Sequence, residues 1–112
     1  MQNSPHRKEE IMLAGFSIVP IGTGSSIGDK LAEVMKIVDA SGLPYKINPM
    51  GTVVEGEWDD LMKLIRKCHM ATLKKGERVL TTITIDDREG MTGRIDAKVK
   101  SVEKRIGKAL KK

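Results

Sequence analysis

The feature that constrains this chain most is the tetrapeptide Asn48-Pro49-Met50-Gly51 near its middle. Proline at the second position and glycine at the fourth are the signature of a type I turn. Short segments that read as strands flank it, residues 44–48 and 52–56, so the centre of the chain is expected to be a β-hairpin. Outside the hairpin the periodicity becomes helical on both sides. Leu31, Val34, Met35 and Val38 fall on one face of a helix over residues 27–40, and Leu61, Leu64, Ile65 and Cys68 on one face of a helix over 57–73. Gly42 stands where a left-handed helix cap is expected. Asp59 and Asp60 complement the dipole at the start of the second helix. The outermost segments are apolar and rich in β-branched residues. Residues 11–21 are bounded by Pro20 and Gly22, and in 78–86 the side chains Val79, Ile83 and Ile85 alternate onto one face.

That order is β-α-β-β-α-β, the α+β ferredoxin-like plan: an antiparallel sheet with two helices on one face. An additional C-terminal helix over residues 92–110 carries the stripe Ile95, Val99, Val102, Ile106 and Leu110. Helices on one side leave the other face of the sheet open, with Leu80, Thr82 and Thr84 or their alternation partners on it, and such a face calls for a partner sheet or for the extra helix. With 112 residues the chain is long enough for one domain, placed at 11–112, after a flexible N-terminal segment at 1–10. Phe16, Tyr45 and Trp58 are its only aromatic residues, so the core has to be built from Ile, Val, Leu and Met.

The net charge of +5 is concentrated at one end. The last fifteen residues hold seven lysines and arginines against the single Glu103, which leaves the rest of the chain close to neutral. A solvated helix face accounts for this, while contact with nucleic acid or an anionic membrane is the rival use. Cys68 is alone, so no intrachain disulfide or cysteine metal cluster can form. There is no secretory signal pattern and no run of about 20 apolar residues. The expectation is a cytoplasmic protein outside the membrane.

Catalytic chemistry finds little support. Gly22, Gly24 and Gly28 miss the dinucleotide fingerprint by one residue, and no P-loop lysine follows. They read as a tight strand-to-helix turn with Ser25 or Ser26 as the cap. Asp86, Asp87 and Arg88 read as a self-neutralising charged turn. His69 has no nucleophile or second base at a useful spacing, and no metal-ligand spacing occurs. No catalytic residue, metal or cofactor is therefore expected. Glu55, near the end of the second hairpin strand, could neutralise a bound cation, and Trp58 could stack on a flat ring. A solvent-facing strand residue and a helix-start packing anchor are the plainer readings of the two.

Three stretches together carry a resemblance: Ile18-Val19-Pro20-Ile21-Gly22-Thr23-Gly24-Ser25-Ser26, the run from Tyr45 through Pro49-Met50-Gly51-Thr52 to Glu55-Gly56-Glu57, and Arg78-Val79 through Asp86-Asp87-Arg88. They resemble the small thiamine-binding proteins of the YkoF-like superfamily, the middle stretch most specifically. Residues 27 and 28, Ile-Gly, depart from the Ser-x-Ser continuation usual in that family. The resemblance implies a ferredoxin-like fold, a homodimer or homotetramer, and binding of thiamine or a related cationic pyrimidine without catalysis. It places Thr23, Met50, Thr52 and Glu55 near the ligand. Thiamine joins a cationic thiazolium to a flat aminopyrimidine, so Glu55 is expected to meet the charge. Met50 or Trp58 would supply a flat or thioether surface, and Thr23, Thr52 and Asn48 the polar contacts. The alternative is a regulatory or structural oligomer without a working ligand site. A nucleic-acid module is not expected, because Phe16 and Tyr45 are the only aromatics in the strand segments.

Overall fold

The computed structural model describes residues 11–22, 27–74, 78–88 and 94–111. In chain order the elements are β1 (Met12–Ile21), α1 (Ile27–Ala40), β2 (Tyr45–Asn48), β3 (Gly51–Gly56), α2 (Trp58–Leu73), β4 (Arg78–Asp86) and α3 (Arg94–Ile106). The strands form one antiparallel sheet in the order β2-β3-β1-β4. This is the expected α+β plan with an extra C-terminal helix. Element ends shift by a residue or two, most at α3, which is described from Arg94 and stops at Ile106, short of the expected end at residue 110; its expected start at residues 92 and 93 lies outside the described residues. Gly107, at a left-handed φ of 77°, follows it and donates its N–H to the Glu103 carbonyl. The N-terminal segment 1–10 lies outside the described residues.

Alternation divides β1 between the two faces of the sheet. Met12, Ala14, Phe16 and Ile18 point under the helices, where they meet Val34 and Val38 of α1 and Leu61, Leu64, Ile65 and Cys68 of α2. Val54 joins them from β3. Leu61, Val38, Val54 and Cys68 have almost no exposed surface, and truncating Leu61 to alanine would cost about 2–5 kcal/mol. At the edge β4 completes this face with Val79 and Ile85, packed against the core. The same register puts Leu80, Thr82, Thr84 and Asp86 on the other face, opposite Val19, Ser17, Gly15 and Leu13.

Both strand aromatics belong to the helix side. Phe16 is buried there, and Tyr45, paired with Val54, donates its hydroxyl to Asp39 of α1 at 2.9 Å. That carboxylate raises the Tyr45 pKa above its ordinary value. No described aromatic side chain therefore lies on the open face. Among the described residues no helix is long and apolar enough to cross a membrane.

Candidate functional site

The hairpin is shorter than the strand it joins, and the mismatch makes a cleft. β3 pairs with β1 only from Met12↔Gly56 to Phe16↔Thr52, whereas β1 runs on to Ile21. Beyond Phe16 the β3-side edge of β1 has no strand partner among the described residues. A cleft of about 570 Å³ occupies that place. Its walls are the consecutive residues 16–20 of β1, Leu31, Val34 and Met35 of α1, and the hairpin from Ile47 to Thr52. Consecutive lining residues mean that the strand presents its backbone edge as well as its side chains.

The direction of that edge follows from Gly51. A Cβ at position 51 would stand 2.7 Å from the Phe16 carbonyl oxygen, so that carbonyl points toward β3. The main-chain groups of an antiparallel strand repeat every second residue. Ile18 therefore turns its N–H and C=O into the cleft, and Pro20 turns a C=O with no N–H beside it. The edge offers one donor between acceptors.

Side chains add a few polar groups to an otherwise apolar lining. Thr52 is only 7% exposed, and its hydroxyl meets just the Met35 thioether among the described residues, at 3.7 Å. A thioether is a weak acceptor, so this buried hydroxyl retains most of its hydrogen-bonding capacity. Asn48 accepts the Met50 N–H on its Oδ1 at 2.7 Å, which fixes the turn and leaves its amide NH₂ at the mouth. Met50 stands 87% exposed on the rim. None of the lining residues carries a charge.

The structure thus brings together Asn48, Met50 and Thr52 of the expected site residues. Thr23 lies outside the described residues. Glu55 and Trp58 do not line the cleft. Glu55 is three residues beyond Thr52 on β3, about 10 Å farther along the strand and on the opposite face. There it is 5% exposed and accepts the Ile95 N–H at 3.3 Å, at the start of α3. Trp58 opens α2, past the end of β3 that lies away from the hairpin, and is partly exposed. Sequence reasoning passed over Phe16, Leu31, Met35 and the Ile18 backbone as cleft components. The signal for the last was the unequal length of the first strand and the hairpin strands.

The other sequence-level candidates have structural partners. His69 Nδ1 lies 2.7 Å from the Thr81 hydroxyl, Asp86 is ion-paired with Lys98, and Cys68 is buried. Burial pushes the Cys68 thiol up to about 11. Among the described residues no cluster of three His, Cys, Asp or Glu side chains could hold a metal ion.

Comparison with known proteins gives one consistent picture. Residues 14–103 match a family model described as thiamine-binding protein. The UPF0045 protein YqgV of Bacillus subtilis is 39% identical over 100 residues, covering 84% of this chain and 96% of the relative. A Mycobacterium tuberculosis UPF0045 protein is 34% identical over 94 residues, covering 83% and 92%. Among solved structures, a hypothetical protein of Methanocaldococcus jannaschii superposes with a TM-score of 0.76 at 29% identity, over 83% of this chain and 96% of its own. A Thermotoga maritima protein provisionally named for thiamine biosynthesis or salvage shares the fold, with a TM-score of 0.73 at 20% identity over 82% and 98%.

Proposed function

Because the chain belongs to the thiamine-binding protein family, we propose that it binds thiamine or a closely related aminopyrimidine, without transforming it, in the cleft between β1, α1 and the hairpin. The observation that carries this reading is the unpaired edge of β1 beside a buried hydroxyl in an apolar cleft. An aminopyrimidine displays an amino donor next to a ring-nitrogen acceptor. The Ile18 C=O and N–H offer the complementary pair, and the Thr52 hydroxyl is placed to serve a second ring nitrogen. Phe16, Leu31 and Met35 supply flat and polarisable walls for the ring.

In this reading the thiazolium lies at the mouth, beside Asn48 and Met50, where water screens its charge, which suits the uncharged lining. Glu55 takes no part in the cleft in this reading and serves α3 instead. Recognition then rests on the neutral ring, and nothing in the lining is arranged for nucleophilic or acid–base chemistry. Self-association as a homodimer or homotetramer completes the proposal.

Calorimetry and thermal shift with thiamine, its phosphates and its isolated aminopyrimidine test the reading. A ligand that binds only the native state raises the melting temperature by mass action. Thiamine and the pyrimidine fragment are expected to stabilise the wild type. Thr52→Val, nearly equal in volume, should weaken both by roughly tenfold, the value of about one hydrogen bond to a buried group. Absence of any shift with all of these ligands would favour an oligomer whose cleft is vestigial.

A further inference from the structure

We infer that Lys30 is a positioning residue for the ligand cleft: its buried ammonium ties α1 to the end of α2 and so sets where the α1 wall of the cleft stands. The inference rests on the ligand reading for the affinities it forecasts, and on the structure alone for the placement of α1.

Lys30 is 9% exposed. A lysine is almost never buried that far unless its charge has a partner. Here Nζ donates to the Thr72 carbonyl at 3.1 Å, across the interface between the two helices. Thr72 lies in the last turn of α2, where carbonyls run out of helical donors and the dipole is negative. That turn holds no basic residue of its own, and the cap residue that follows, Lys74, is exposed. Lys30 supplies a buried positive charge to it from α1.

A second link lies one turn farther along α1. The Cys68 thiol, which burial keeps protonated and so a donor, points at the Val34 carbonyl at 3.9 Å. The Thr72 hydroxyl donates to the Cys68 carbonyl at 2.9 Å and joins the two links within α2. Lys30 and Val34 are four residues apart, one above the other on the face of α1 that meets α2. Leu31 and Met35, the residues that follow them, sit about 100° around the helix and line the cleft. The stripe facing α2 is the anchor, and the adjoining stripe is the wall.

The wall is sensitive to its anchor. Side-chain tips lie about 5–6 Å from a helix axis, so a roll of about 20° carries them about 2 Å. A binding constellation tolerates only about 0.5 Å. A roll of that size would part the Met35 thioether from the Thr52 hydroxyl, now 3.7 Å away, and would change the width of the cleft at Leu31. Lys30 is not one of the cleft-lining residues, so it acts on the ligand through α1.

Calorimetry of thiamine and of its uncharged aminopyrimidine fragment on Lys30→Met tests this. Both affinities should fall by about tenfold or more, and by the same factor, a loss of about 1.4 kcal/mol. A cation acting on the ligand through its field would give the opposite sign for thiamine, because removing it would strengthen binding of the thiazolium. Lys30→Arg, which restores charge and donor, should stay within about threefold of wild type. Lys30→Gln, neutral and too short to reach Thr72, should match Lys30→Met and serves in its place if methionine prevents folding. Glu55→Ala, destabilised on the other face of the sheet, is the control and should keep its affinity within about twofold. In the free proteins the Met35 methyl resonance should move in Lys30→Met and Lys30→Gln and stay near its wild-type position in Lys30→Arg and Glu55→Ala. Wild-type affinity in the neutral variants, or an equal loss in Glu55→Ala, would overturn the role of Lys30 at the cleft. An unmoved Met35 methyl would overturn the placement of α1. A wild type that binds neither thiamine nor the fragment would strike the ligand reading, while the Met35 resonance would still decide whether Lys30 places α1.

Discussion

Replacing Glu55 separates its two conceivable roles, and the structure fixes the size of the effect. The carboxylate is 5% exposed and receives an N–H from the first turn of α3, where the helix dipole favours negative charge. Glu55→Gln keeps an acceptor of the same shape and loses only the charge, which at a partly buried helix N-terminus is worth about 0.5–2 kcal/mol. Glu55→Ala also deletes a charge-assisted hydrogen bond of about 1.5–3 kcal/mol and leaves the Ile95 N–H without that acceptor. The expected order of stability is wild type, Gln, Ala, with a total loss of roughly 2–4 kcal/mol for alanine. Urea denaturation measures the loss, and hydrogen exchange locates it: amides of Ile95 to Val99 should lose protection before those of β1 and α2. Thiamine affinity of Glu55→Gln should stay within about twofold of wild type wherever the protein is folded. A glutamine variant of wild-type stability, with α3 protection intact and thiamine affinity reduced tenfold or more, would refute this account and return Glu55 to the ligand.

Two further perturbations follow from the geometry. Gly51→Ala places a methyl 2.7 Å from the Phe16 carbonyl oxygen at a φ of 154°, so either β1 and β3 separate or the turn distorts. The expected cost is about 1–3 kcal/mol in the urea midpoint, with weaker ligand binding because Phe16 also lines the cleft. For Cys68, burial holds the thiol protonated up to about 11, against an ordinary value of 9.0. Between those values the unfolded chain releases a proton that the native chain retains, so this group lowers stability as pH rises from about 9 to 11. A Cys68→Ser variant, compared with wild type across that interval, should lack this part of the decline. A thiol reagent at pH 8 should modify Cys68 only after denaturant is added.

The fold was legible because its signals were local. A Pro–Gly turn, two helical stripes and two β-branched runs define the element order without any long-range information, and even Gly42 was placed correctly at a left-handed φ of 78°. The candidate site was legible only where it coincided with the turn. Asn48, Met50 and Thr52 lie in or beside the tetrapeptide, so locating the hairpin located them. Glu55 is different in kind. It is close to Thr52 in sequence, but an odd separation on a strand sends two side chains to opposite faces. Within one chain Thr52 and Glu55 therefore could not both address a cleft on the helix side. Period-two alternation contained that information, and chemical suitability for a cation outweighed it. What no local pattern could supply is the location of α3. Its stripe has the spacing of a buried helix, yet Val99, Val102 and Ile106 are exposed, and the groups that hold the start of the helix, Glu55, Asp86 and Lys46, come from three strands that only folding brings into one sheet.

The separation of cleft and clamp has a consequence that a double-mutant cycle can measure. Thr52 and Glu55 belong to one six-residue strand, but they face opposite layers about 10 Å apart, Thr52 toward Met35 of α1 and Glu55 toward the start of α3. Perturbations that far apart usually add to within about 0.5 kcal/mol. The loss of stability in Thr52→Val combined with Glu55→Gln should therefore equal the sum of the single losses within that margin, and the ligand affinity of the double variant should match Thr52→Val alone. Coupling of more than about 1 kcal/mol, in stability or in ligand affinity, would mean that strand β3 itself transmits the change, and the two ends of the sheet would no longer count as independent.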